Sequence, residues 1–155
     1  MTTFLFPGQG SQARGMGANL FKDFPELVNI ANDILGYDIE QLCTLDPNNV
    51  LNNTEYTQPA LFTVNALTFL KHTQDTNQKA DYLVGHSLGE YDALFAAKVF
   101  DFATGLKLVQ KRGQLMSMAK DGAMPTPLPH TVPFAPLSNA RQCPSGERII
   151  PSLYK

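Results

Sequence analysis

The chain alternates short apolar runs with stretches in which apolar residues recur every three to four positions. Thr3-Phe4-Leu5-Phe6 reads as a short strand ended by Pro7-Gly8. Leu27, Ile30, Ala31, Ile34 and Leu35 then fall at helical spacing, with Pro25 in the first turn and Gly36 as the stop. A further helix is predicted to open near Thr57, with Pro59 in its first turn and Leu61, Val64, Leu67 and Leu70 on one stripe. Tyr82-Leu83-Val84 is a second strand, followed by a helical pattern to about Lys98. The last helix opens at the capping residue Asp101, carries Leu106, Val109 and Met116, and is expected to stop near Gly122. Strands alternating with helices predict an α/β domain, a short parallel sheet covered by helices.

That pattern covers residues 1–124 and does not continue. Seven of the 11 prolines, Pro125, Pro127, Pro129, Pro133, Pro136, Pro144 and Pro151, fall in residues 125–155. Proline has no amide donor and blocks helices and central strands, so this tail is expected to be irregular. The remaining composition narrows the function classes. At 155 residues and 43% hydrophobic content the chain is long enough for one packed domain. A net charge of −2 supplies no field to recruit nucleic acid or an anionic membrane. Cys43 and Cys143 match no metal or redox spacing and read as unpaired thiols. The N-terminus lacks the basic stretch and long apolar run of a signal peptide, and no segment reaches membrane-spanning length. The expectation is a cytoplasmic monomer without a bound metal or cofactor.

Two segments carry chemistry. Gly85-His86-Ser87-Leu88-Gly89-Glu90 follows the second strand directly and precedes a helix. Gly-x-Ser-x-Gly in that context is the pattern of a nucleophile elbow, in which a tight turn presents the serine hydroxyl and small flanking residues let strand and helix close around it. Phe6-Pro7-Gly8-Gln9-Gly10-Ser11-Gln12 follows the first strand. Its alternating glycines allow a sharp turn with exposed amides, so the loop could supply one oxyanion donor beside the elbow while the residue after the serine supplies the other. A plain strand-to-helix turn would look the same. The loop matches no phosphate-binding pattern.

Taken with Thr57-Gln58-Pro59-Ala60-Leu61 and Val109-Gln110-Lys111-Arg112-Gly113, these motifs resemble the malonyl-CoA:acyl-carrier-protein transacylases, the acyltransferases of fatty acid and polyketide synthesis. The resemblance runs from about Thr3 to Met124. It implies part of an α/β-hydrolase-like lobe, without the family's ferredoxin-like small lobe. It implies Ser87 as the nucleophile that takes an acyl group from coenzyme A, and the backbone amides of Gln9 and Leu88 as the oxyanion hole. Arg112 matches the arginine that holds the free malonyl carboxylate, a role suited to a planar fork of parallel donors. Read without the family, Arg112 is a surface arginine on an amphipathic helix. Gln58 and His86 match positions near the pocket. Because adjacent side chains diverge, His86 is not expected to be the base for Ser87. The implied substrate is malonyl-CoA and the implied partner an acyl carrier protein.

A serine hydroxyl needs a base to accept its proton. The family's base is a histidine far C-terminal to the serine, whereas this chain ends at Lys155 and contains only His72, His86 and His130. His72 reads as a solvated residue at the polar end of a helix, and His130 lies in the proline-rich tail. The sequence therefore predicts impaired malonyl transfer. Two other readings remain: a non-catalytic fragment that binds carrier protein, and a small acyl hydrolase pairing Ser87 with His130.

Overall fold

In this computed structural model the described residues are 1–119, together with the backbone of 148–149. Thr2–Phe6 forms β1 and Tyr82–Gly85 forms β2, paired in parallel with Thr3 opposite Tyr82 and Phe6 opposite Gly85. A two-residue strand, β3 (Arg148–Ile149), pairs in parallel with the other edge of β1, giving the order β2-β1-β3. The two main strands end level, so the loop after Phe6 and the turn after Gly85 emerge side by side at the same end of the sheet. One face carries Phe4 and Phe6; their rings pack edge-on against Phe69 at 5.9 Å. The opposite face exposes Leu5, Tyr82 and Val84, about half of each side chain. Parallel strands normally bury both faces, so a bare face is what so small a sheet predicts.

Among the described residues, four of the five α-helices begin or end where the chemistry of the sequence directs. α1 (Pro25–Leu35) starts on Pro25, whose missing N–H would have no partner there, and ends at Gly36 with φ 78°. α2 (Ile39–Thr44) is capped by Asp38, which accepts from the Gln41 amide at 2.8 Å. α4 (Gly89–Ala96) grows out of the elbow. α5 (Phe102–Met118) is capped by Asp101, which accepts from the Thr104 amide at 2.7 Å. That bond and the nearby Lys107 hold the Asp101 carboxyl below its usual range.

The central helix differs from its sequence pattern. α3 (Thr54–Thr76) is capped by Asn53 and starts three residues before Thr57, which places Pro59 inside the helix. It is not one-sided: every residue from Thr57 to Leu67 is buried. Leu61, Phe62, Val64 and Leu67 join Leu88, Phe102, Leu106 and Val109 in a single core, with Phe62 stacked on Phe102 at 5.7 Å. A helix buried all round has no need of an amphipathic stripe. Pro59 also cannot donate to the Glu55 carbonyl. Gly113 of α5 lies there, where a Cβ would come within 3.1 Å of the Thr54 carbonyl oxygen and 3.3 Å of that of Glu55. A missing donor and a missing side chain thus let α3 and α5 approach closely, and the approach sets Arg112 and Met116 beside Gln58.

The helix after the elbow ends at Ala96, and Lys98 turns out of it with φ 61°. Ile30 of the expected apolar stripe is exposed. α5 ends at Met118, short of the expected stop; Gly122 lies outside the described residues. So do Cys143, His130 and the prolines of the tail. Cys43 is buried and free, its thiol pushed up to about 12 chiefly by desolvation. Among the described residues no helix is long and apolar enough to cross a membrane.

Candidate active site

The serine at the centre of the elbow has φ 54°, the left-handed region that a side chain disfavours. The two glycines that flank it are required by space. A Cβ on Gly85 would lie on the Glu90 amide and the Gly89 carbonyl. A Cβ on Gly89 would lie on the Phe6 carbonyl and within 3.0 Å of the Pro7 oxygen. The turn is closed by the Gly89 amide donating to the His86 carbonyl at 2.9 Å and the His86 amide donating to Phe6 at 3.0 Å. The pattern thus folds as read: the strand ends, the backbone reverses, and Ser87 projects at the level of the loop after β1.

That loop uses its glycines for two separate reasons. A Cβ on Gly8 would meet His86, its Nδ1 at 2.9 Å, so the loop and elbow can touch only if residue 8 is glycine. Gly10 has φ 108°. Ser11 ties the turn by donating from Oγ to the Gly8 carbonyl at 2.8 Å, and the Gly10 amide donates to Gln12 Oε1 at 2.8 Å. Among the described residues, the backbone amides of Gln9 and Leu88 have no acceptor. Two free amides on adjacent turns, one from each strand end, are what an oxyanion hole requires.

The side chains converge on Gln58, which is fully buried. Its Nε2 donates to Gln9 Oε1 at 3.1 Å and to Met116 Sδ at 3.5 Å. Its Oε1 accepts from Arg112 Nη1, and Arg112 Nη2 donates to Ser87 Oγ at 3.2 Å. The guanidinium lies 5.9 Å from the Tyr91 ring centre, within cation–π range. Arg112 is therefore not a surface residue on an amphipathic helix; it reaches inward from α5 to the serine. Gln9 is held a second time, by Nε2 donating to Thr54 Oγ1 at 3.1 Å.

Neither histidine within the described residues serves Ser87. His86 is exposed, and its side chain makes no hydrogen bond to the serine. His72 sits two helical turns beyond Asn65, edge-on to Phe4 at 5.3 Å and 3.2 Å from Gln78 Oε1. It is half-buried and packed, where the sequence suggested a solvated ring. Among the described residues, no group of histidine, cysteine and carboxylate side chains is arranged to hold a metal ion.

Residues 3–126 match the family described as the acyl transferase domain. The chain belongs to that family. Among curated relatives, a Bacillus subtilis protein named a polyketide biosynthesis malonyl CoA-acyl carrier protein transacylase, PksC, is 57% identical over 124 residues. The match takes in 80% of this chain and 43% of that protein. The crystal structure of a malonyl CoA-acyl carrier protein transacylase from Burkholderia pseudomallei superposes with a TM-score of 0.76 at 55% identity, over 77% of this chain and 41% of that one. A type II polyketide acyl-carrier protein in complex with its malonyl-transacylase contains a chain similar at TM-score 0.70 and 40% identity, over 76% and 39%. This acyl transferase chain therefore spans less than half the length of the relatives it matches.

Four further residues of this acyl transferase domain, which no sequence motif singled out, belong to the same neighbourhood. Thr54 and Tyr91 brace Gln9 and Arg112, as described. Asn65, buried in α3, donates from Nδ2 to the Pro7 carbonyl at 3.2 Å and to Asp92 Oδ2 at 2.8 Å. Asp92 of α4 has no solvent exposure, and its other oxygen has no partner among the described residues. Burial pushes its carboxyl well above the usual carboxylate range, against the opposing pull of the Asn65 hydrogen bond. The signal for both was present: a single amide inside the apolar run Leu61–Leu67, and a single acid inside Tyr91–Ala96.

Proposed function

We propose that this chain is the nucleophile-bearing part of a malonyl transferase, acting through an acyl-Ser87 intermediate. The observation that carries the reading is the contact between Arg112 and Ser87 Oγ. A malonyl ester on Ser87 would hold its free carboxylate three bonds from Oγ, so a guanidinium already touching that oxygen lies within range of the carboxylate. Arg112 has five N–H donors, of which the contacts to Gln58 and Ser87 use two. The resulting selectivity is for acyl groups that end in an anion.

In the first half-reaction Ser87 Oγ attacks the thioester carbonyl. The amides of Gln9 and Leu88 receive the developing oxyanion; the C–S bond breaks and coenzyme A leaves as the thiol. In the second, the phosphopantetheine thiol of an acyl carrier protein attacks the ester carbonyl, the C–Oγ bond breaks, and the serine regains its proton. No base stands beside Ser87 among the described residues, so none of them is assigned the serine's proton. Division of the sequence into an acyltransferase part, 1–124, and an unrelated tail, 125–155, fits this reading. The second reading, recognition without turnover, draws on the lack of a base beside Ser87 among the described residues and predicts carrier-protein binding that survives Ser87→Ala.

The test measures binding by calorimetry and acylation by intact mass. The chain should bind malonyl-CoA about tenfold more tightly than acetyl-CoA, and Arg112→Ala should remove the preference. Any malonyl adduct should form slowly and vanish in Ser87→Ala. Equal affinity for the two thioesters would overturn the proposal.

A further inference from the structure

We propose that Asn65 and Asp92 form a buried clamp that fixes the loop after β1, and with it the Gln9 amide, against the nucleophile elbow. The inference rests on the reading of that amide as an oxyanion donor.

The geometry is that of a single bridge. The amide group of Asn65 has two N–H donors, and they point to different elements: one to the Pro7 carbonyl in the loop, the other to Asp92 on the helix that grows from the elbow. Three segments far apart in sequence are thereby joined at one nitrogen. Pro7 is two residues before Gln9, so the bond acts on the stretch whose amide matters. The same carbonyl is confined from the other side by Gly89, where a Cβ would come within 3.0 Å of it.

Asn65 and Gln58 are also seven residues apart on α3, which places them on one face two turns from each other. Gln58 holds the Gln9 side chain and Asn65 holds the Pro7 backbone, so the loop is fixed at two points by one rigid helix. Asn65 is buried, so each of its bonds is costly to lose, because the released donor finds little water. The role of Asp92 is to accept: it orients the Asn65 amide so that the second N–H is aimed at Pro7. An amide carbonyl at position 92 would serve as well as a protonated carboxyl, whereas an alkyl group would not.

The clamp is therefore a positioning device, and amide hydrogen exchange reads it directly. In the full chain, Asn65→Ala should speed exchange across residues 8–12 about tenfold while leaving the amides of α5 as slow as before. Asp92→Asn should leave loop exchange unchanged, and the similarly sized Asp92→Leu should speed it. If Asn65→Ala unfolds the whole chain, the two Asp92 variants decide. Equal loop exchange in Asp92→Asn and Asp92→Leu, or an unaltered loop in folded Asn65→Ala, would overturn the clamp. Because the readout is exchange and not turnover, a chain that binds no malonyl-CoA retires the proposed chemistry and leaves the clamp to stand or fall on its own result.

Discussion

The two halves of α3 carry the same kinds of group and use them in opposite ways. In the first half, to Leu67, the amides of Gln58 and Asn65 are buried, and each bridges two or more partners at the site. In the second half, Lys71 pairs with Asp23 at 3.2 Å and with Asp75 at 3.4 Å, all three more than a third exposed, and His72 meets Gln78 near the surface. The difference is burial. A polar group with no water to fall back on must keep its partner and so fixes geometry, whereas a solvated ion pair exchanges its partner for water at little cost.

The comparison breaks most visibly in the core. Phe62→Ala, in the first half, should cost about 3–5 kcal/mol in chemical denaturation, since the ring is fully buried against Phe95 and Phe102. Phe69→Ala, in the half-exposed second half, should cost about half as much. Equal losses would mean that the two halves do not differ in packing. Asp92→Asn should raise the thermal midpoint by several degrees at pH 7. The sign follows from the raised carboxyl. Stability from the bound proton is complete below the unfolded value of about 3.9 and is lost as pH rises through the folded one. Asparagine has no such dependence, so the gap between variant and parent should close as pH falls toward about 4. A gap independent of pH would show that Asp92 carries no proton in the folded chain. The smallest effect is expected at Lys71→Ala, whose melting curve should overlay that of the parent even at low salt.

How much of this was legible depends on the distance over which each feature is decided. Pro25, Gly36 and Asp101 act within one helical turn, and α1 and α5 begin or end on them as read. The elbow is legible because strand, glycine, serine and glycine fall within one short stretch, although only the demand on Gly85 is met within the turn and that on Gly89 comes from Phe6 and Pro7 of the other strand end. α2 was missed because six residues are too few to show a period, although Asp38 marked its start. The all-round burial of α3 was missed because the spacing of its leucines records one face and cannot report that α4 and α5 cover others. Arg112 could be placed at the site only through family resemblance; its inward reach depends on the close crossing at Pro59 and Gly113. The Asn65–Asp92 pair spans 27 residues and two helices. Local pattern offers only a hint of it, a polar residue where apolar ones surround it.

The left-handed backbone at Ser87 has a consequence for how such a chain would drift over generations. At a φ of 54°, fold stability alone favours glycine over serine by about 1 kcal/mol. Replacement by glycine would therefore remove the hydroxyl and leave a sturdier protein, whereas any other side chain would keep the strain. In a lineage released from acyl chemistry, position 87 is among the first to change. Serine costs the fold stability there, so the proposed acyl chemistry and the backbone's own preference pull residue 87 in opposite directions.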